Sequence, residues 1–431
     1  MTALFPPLPA ESRRILDRLP RLIDKTFPLP ARFRSGLPRD VAELSRLLTA
    51  NREDRSASYL GKPPLLSAYL RYFLPWNIYR LCRLLPALPL ELKSGDTIND
   101  LGSGPLTLAV ALWISRPDLR TLPLEFRCID RTPAILDAGK KLFAALAAET
   151  IGDSSGSSCP WIIKTIRGEL RIFGSHKNGG LSVEIKGKPA ALTAAINVYN
   201  ELFWKFSPLD TEGIAAFASR SAHLLSSLTE SSGSILVMEP GIPRCGEFIS
   251  LLRSSLLTEG RRPLSPCTHS EGCPLSPSPA SGVPRKSAGK AAAAKWCHFA
   301  FDTEDAPSAL HKLSAASGIP KERAVLSFIL AGGPSAKTLL AESPLPAKVA
   351  VKPPSERKSP AENAAVKIRV ISDAFPIEDG WGRYGCSECG LALVRGSRKG
   401  LEASPSGALE VLPLADGVRD GKSGAFVVRG W

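Results

Sequence analysis

The chain has 431 residues, 44% hydrophobic and 22% charged, with a formal net charge of +14. That length predicts two or three domains, and the composition excludes wholesale disorder. No run approaches the ~18 apolar residues of a membrane span, and Pro6, Pro7, Pro9 and Glu11 stand where a signal peptide needs an apolar core, so a cytoplasmic protein with no membrane partner is expected.

Residues 1–95 read as helical. Glu11 to Ile23, Asp40 to Asn51 and Leu65 to Leu84 carry apolar residues at three and four spacings. Tyr69, Tyr72, Phe73, Trp76 and Tyr79, mixed with Arg71 and Arg80, could stack on RNA bases, but such aromatics are more often core. From residue 96 the pattern becomes α/β, with strands expected at Thr97–Leu101, Glu125–Asp130, Ala191–Val198, Ser234–Glu239 and Arg323–Ala331. Pro105 marks an expected helix start, and Thr132-Pro133 opens another helix, reaching about Ala148. Ser276 to Lys295 reads as a flexible insertion into the 96–332 domain, and 333–365 as a Pro/Ser/Ala/Lys linker. Residues 366–431 alternate in short runs at Val366–Ile371, Leu391–Val394, Ala408–Leu412 and Ala425–Val428, which predicts a small all-β, barrel-like domain.

The basic balance suggests a polyanionic partner, against the plainer reading of a surface charged for solubility. The cysteines number nine, an odd count in a chain without an export signal, which fits a reducing compartment. Cys267, Cys273 and Cys297 are spaced Cys-x5-Cys-x23-Cys, and Cys386 and Cys389 follow far downstream. Soft thiolates suit zinc or iron–sulfur clusters. The five-residue gap fits zinc less well, whereas Cys273-Pro274 resembles cluster ligation. His269 and His298 could complete a zinc site, and unliganded thiols remain a third reading.

Asp100-Leu101-Gly102-Ser103-Gly104-Pro105 follows a strand and precedes a helix. Glycines let the backbone approach a ligand, a helix N-terminus offers free N–H groups, and an acid ending the next strand, here Asp130, is placed for ribose hydroxyls. A tight structural turn is the plainer alternative. The order resembles class I S-adenosylmethionine (SAM)-dependent methyltransferases, with Leu106 in place of their third glycine. The resemblance implies an α/β, Rossmann-like class I core between the N-terminal helical region and the β domain. It also implies cofactor contacts at Asp100, Gly102, Gly104, Asp130 and Asn200. Asn197-Val198-Tyr199-Asn200-Glu201-Leu202 is not the Asn/Asp-Pro-Pro-aromatic motif of amino-group methyltransferases, so no methyl acceptor or catalytic residue is assigned.

A longer series is more specific. Glu239-Pro240-Gly241-Ile242-Pro243-Arg244, Pro266-Cys267-Thr268-His269, Cys273-Pro274-Leu275, Trp296-Cys297-His298-Phe299 and Leu326-Ser327-Phe328 occur in order. With the glycine turn and Asn200-Glu201-Leu202, they resemble the methyltransferase-like assembly factors of the small ribosomal subunit, over about residues 60–332. The resemblance implies a partner in the small ribosomal subunit and its rRNA, with no DNA. It also implies a 4Fe-4S cluster on Cys267, Cys273, Cys297 and a fourth cysteine. The family's glycine, six residues, cysteine spacing matches Gly382 to Cys389 and selects Cys389, with Cys386 as the alternative. An active rRNA methyltransferase and a zinc-stabilised RNA-binding protein are the competing readings.

Overall fold

The computed structural model describes residues 3–49, 61–151, 158–173, 180–203, 210–276, 295–334 and 365–429. The expected insertion and linker fall outside them for residues 277–294 and 335–364.

The N-terminal helices are α1 (Ala10–Thr26), α2 (Ala31–Arg34), α3 (Leu37–Leu48), α4 (Pro63–Ala68) and α5 (Leu74–Leu84). A π-helical turn, Tyr69–Phe73, joins α4 to α5. Along α1, Leu16, Leu19, Leu22 and Ile23 face inward while Arg13, Arg14, Arg18 and Arg21 stay exposed, the division expected of an amphipathic surface helix. Tyr72, Trp76 and Tyr79 are buried, so these aromatics are core rather than a stacking platform.

The α/β region runs β1 (Thr97–Leu101), α6 (Thr107–Ser115), β2 (Glu125–Asp130), α7 (Pro133–Ile151), β3 (Ile162–Arg167), the hairpin β4 (Arg171–Phe173) and β5 (Gly180–Ser182), and β6 (Ala190–Ile196). It continues through α8 (Tyr199–Leu202), α9 (Thr211–Ser227), β7 (Thr229–Pro240), α10 (Pro243–Thr258), β8 (Arg262–Ser265), β9 (Phe299–Asp302), α11 (Ser308–Ala316) and β10 (Arg323–Gly332). The main sheet has the order β3-β2-β1-β6-β7-β10-β8, with β9 pairing β10. Strands β3 to β7 along this path are parallel, and β10 is inserted antiparallel between β7 and β8. The reversal of strand order between β1 and β6 leaves a crevice at their C-terminal ends, where doubly wound sheets bind ligands. This is the class I methyltransferase-like fold. Strand alternation feeds both faces. Leu236 and Met238 join the core under the N-terminal helices, and Ile235 and Val237 join the core under α9 and α10. Helix α6 is buried all round, which its uniformly apolar sequence requires.

The C-terminal domain comprises β11 (Ala365–Val370), β12 (Phe375–Ile377), β13 (Gly380–Ser387), β14 (Gly390–Gly396), α12 (Arg398–Glu402), β15 (Leu409–Arg419) and β16 (Phe426–Arg429). Pairings β11–β13, β13–β14, β14–β16, β16–β15 and β15–β11 close a barrel, with β14 and β16 parallel. With β12 set aside, the closure is a five-stranded Greek-key barrel of OB type, more specific than the sequence pattern. Inside it, Arg383 and Glu410 form an ion pair with both side chains 2% exposed. Among the described residues no helix is long and apolar enough to cross a membrane.

Candidate functional site

The glycine turn lies at the crevice between β1 and β6. Gly102 and Gly104 adopt φ of +64° and +54°, a region costly for other residues. A Cβ at Gly102 would also stand 2.5 Å from Val198 Cγ2. Leu106 completes the turn at φ +59° as the residue before α6. The helix therefore starts at Thr107, two residues after the expected Pro105, because the chain needs a left-handed residue first. The Leu106 side chain is wholly buried, which offsets the cost of that conformation.

Asp130 organises this turn. Its Oδ2 accepts the Gly104 N–H at 3.0 Å and its Oδ1 accepts the Thr132 N–H at 2.8 Å. Burial pushes its carboxyl up from the usual value, and those donors oppose the shift. Asp100 lies beneath the turn, 1% exposed, and accepts the Ser103 hydroxyl at 2.7 Å. Burial pushes it up to about 7. Gly102, Gly104 and Asp130 line a pocket with Tyr69, Asn197 and Val198. Asp100 and Asn200 are not on its wall. Asp100 instead shapes the turn from below.

Asn200 is turned toward Glu239. Its Nδ2 donates to Glu239 Oε2 at 2.8 Å. The Glu239 carboxylate also accepts the backbone N–H groups of Val198, Tyr199 and Asn200 at 3.1, 2.8 and 3.1 Å. Glu239 is fully buried, which pushes it up to about 7 against these donors. It therefore holds the loop after β6, and the sequence signal for it was its place in the Glu239-Pro240-Gly241 motif. The donor set of the pocket fits a cofactor with an adenosyl and an amino-acid end. Asn197 Oδ1 is buried without a hydrogen-bond partner among the described residues, and the pocket wall carries the two glycines and Asp130.

A second cavity lies between the α/β region and the barrel. Cys267, Cys273, Cys297 and Cys386 all line it, with Arg253 and Arg369. Cys267 and Cys273 lie in the loop after β8. Cys297 precedes β9, held by Ser327 Oγ donating to its carbonyl at 2.7 Å. Trp296 donates Nε1–H to Gly241 O at 3.0 Å. A Cβ at Gly246 would meet Trp296 Cδ1 at 2.6 Å, so glycine lets this segment lie against α10. Cys386 comes from β13, opposite Arg369 of β11, and stands 3.6 Å from His269 Nε2.

Cys389 lies elsewhere. It occupies the turn between Ser387 and Gly390 and packs against the barrel core. Of the two candidates for the fourth position, the cavity is therefore lined by the alternative, Cys386, and not by the expected Cys389. Side chains alternate along β13, and Cys386 has the parity that faces the α/β region. Sequence spacing carries no such parity.

The cavity is electrostatically unusual. Arg253, 3% exposed, donates Nε–H to Cys267 Sγ at 3.1 Å and Nη2–H to His269 O and Glu271 O at 2.7 and 2.8 Å. Its Nη1 is buried without a partner among the described residues. Arg369 donates to Pro266 O at 2.9 Å and Gly407 O at 2.8 Å, tying the barrel to the cysteine loop. Burial pushes the Cys297 thiol well up, reinforced by Cys267, Cys273 and Cys386. Burial also raises Cys267, opposed by Arg253. Four thiols and two buried guanidinium groups, one of them with its Nη1 unpartnered, form a donor set suited to an electron-rich metal–sulfur ligand. Among the described residues, no three His, Cys, Asp or Glu groups converge closely enough to hold a single metal ion.

A scan of protein families matches none, and a search of curated proteins finds no match. Solved structures do match. One is a chain of the complex between the Haloferax volcanii Trm112 methyltransferase activator and the putative methyltransferase, at 9% identity, 60% of this chain, 90% of that one and a TM-score of 0.26. A putative methyltransferase from Bacillus halodurans matches at 11% identity, 60% of this chain, 99% of that one and a TM-score of 0.28. The citrinin polyketide synthase CMeT domain matches at 14% identity, 48% and 49% coverage and a TM-score of 0.28. The strand order and the glycine turn, rather than these low-scoring likenesses, establish the fold.

Proposed function

We propose that the chain is a small-ribosomal-subunit assembly or translation factor that binds rRNA and carries a structural 4Fe-4S cluster on Cys267, Cys273, Cys297 and Cys386. The observation that carries the reading is the convergence of four cysteines, three from the α/β region and one from the barrel, on one cavity beside Arg253 and Arg369. A multinuclear cluster spans its ligands, so it suits sulfurs that ring a cavity without converging on one point better than a lone zinc does. When bound, the cluster supplies metal–thiolate links between the two domains. Arg253 balances thiolate charge and fixes the cysteine loop through its carbonyl contacts. The exposed arginines of α1 and the net charge of +14 support phosphate binding.

The pocket at the glycine turn is the place for SAM, with Gly102, Gly104 and Asp130 as its wall. Bound there, the cofactor supplies an electrophilic methyl group. The chain's own part is to present the turn through Asp130 and the opposite loop through Glu239.

Anaerobic purification with iron and sulfide assays tests the cluster. About four irons per chain are expected, and stoichiometric zinc with no sulfide would overturn the assignment. Titration of small-subunit rRNA at several salt concentrations tests the partner. Affinity should fall steeply with salt, and a flat response would count against phosphate recognition.

A further inference from the structure

The half-buried arginines of the helical layer mostly meet carboxylates. Arg71 pairs with Asp24, Arg83 with Asp305, Arg116 with Asp118 and Arg120 with Glu11. Arg80, on α5, does not. Its Nη2 donates to the neutral Asn77 Oδ1, and its neighbours in charge are the hydroxyls of Tyr69 and Tyr72. Lys321, before β10, is in the same position. Its Nζ lies 5.9 Å from the ring centres of both Tyr72 and Trp76. Among the described residues no carboxylate pairs with either cation. Burial pushes Arg80 down to about 10, and burial together with Arg80 pushes Lys321 down to about 8.

Trp76 and Arg80 are one helical turn apart on α5, so the two cations share the aromatic face that Lys321 covers, and two desolvated cations in one place are costly unless an anion joins them. The walls themselves are fixed. Tyr72 donates to Ile319 O at 3.2 Å and receives the Ser314 hydroxyl at 3.3 Å, and Trp76 Nε1 donates to Ser314 Oγ at 3.3 Å. The place also connects to the glycine turn. Asn77 hydrogen-bonds the Tyr69 hydroxyl, and that hydroxyl is 3.8 Å from the Cβ position of Gly104. The π-helical turn Tyr69–Phe73 sets this register, and such turns recur at functional sites.

We propose that Arg80 and Lys321 seat a backbone phosphate of an RNA strand that leads to the Tyr69 side of the glycine-turn pocket. This inference rests on the rRNA-binding reading above. An arginine fork beside a lysine matches the oxygens of one phosphate, and the neutral Tyr and Trp walls add no charge of their own.

The test is fluorescence anisotropy with a single-stranded RNA oligonucleotide of small-subunit sequence, using the full chain with its metal content intact. Arg80→Gln/Lys321→Gln should weaken binding about tenfold and lower the slope of log affinity against log salt by about 0.7, the value for one phosphate on a single strand. Arg398→Gln/Lys399→Gln, an equal charge loss at two exposed cations of α12 on the barrel, should change the affinity less than twofold. Lys321→Arg in the Arg80 wild-type background should retain binding. Thermal melting checks folding, and removal of two unpaired cations should not lower Tm. If wild type binds RNA with a steep salt response and the double variant matches it, the seat is overturned while the rRNA reading stands. If wild type shows no salt-dependent RNA binding, both fall. A tenfold loss of SAM affinity in the double variant, with RNA affinity unchanged, would reassign the seat to the cofactor's carboxylate and overturn the phosphate assignment.

Discussion

Replacing Glu239 with alanine should separate the loop after β6 from the sheet beneath it. The carboxylate accepts three backbone N–H groups and the Asn200 amide, and alanine leaves all four donors buried without acceptors. At ~1 kcal/mol net for each lost bond, the cost is about 4 kcal/mol. Burying the carboxylate opposes this, because its pKa is pushed from 4.5 to about 7. A carboxyl whose folded pKa exceeds its unfolded one contributes fully below the unfolded value and loses that contribution as pH rises through the folded value. The advantage of wild type over Glu239→Ala should therefore be greatest near pH 4.5 and shrink by up to roughly 3 kcal/mol by pH 8. Urea unfolding of both proteins at pH 5 and pH 8 measures it, with SAM binding by calorimetry alongside. A cost that is equal at both pH values, or larger at pH 8, would refute the reasoning, as would a variant that binds cofactor like wild type.

Cys386→Ser should lower iron content and expose the domain junction to proteases, whereas Cys389→Ser should leave both unchanged; the opposite pattern, by iron assay and limited proteolysis, would restore Cys389 as ligand. Gly102→Ala meets both the left-handed φ and Val198, so it should cost about 1–3 kcal/mol by urea unfolding and weaken SAM binding. Asp130→Ala frees the Gly104 and Thr132 N–H groups and should cost roughly 1.5–3 kcal/mol in cofactor affinity by calorimetry. Arg383→Met strands Glu410 inside the barrel and should destabilise that domain by about 3–5 kcal/mol, read by hydrogen exchange of the barrel amides in urea.

The α/β core was legible because its inner strands are short, apolar and bounded by turn residues, as at Thr97–Leu101 and Glu125–Asp130. Strand β3 escaped notice. It is an edge strand whose Lys164, Thr165 and Arg167 break the apolar pattern. Strand β13 was hidden by its glycines and by Arg383, a charge that belongs inside the barrel only because Glu410 meets it there. At the glycine turn, residue types identified Gly102, Gly104 and Asp130. They could not show that Asn200 would prefer Glu239, since that pairing brings together residues 39 apart. The three upstream cysteines could be grouped from their order alone. The fourth depended on which face of a strand it occupies.

Strand β13 serves two interiors at once. Arg383 points into the barrel, while Tyr384 and Cys386 pack against the α/β core. Its backbone is also paired on both sides, with β14 along one edge and with β12 and β11 along the other. A one-residue register slip of the whole strand would turn the cysteine inward and the arginine outward together, so the two interiors are tied to one register. Hydrogen exchange at Gly385 and Cys386, which pair with β11 beside the domain junction, should therefore report opening of the barrel and the junction together.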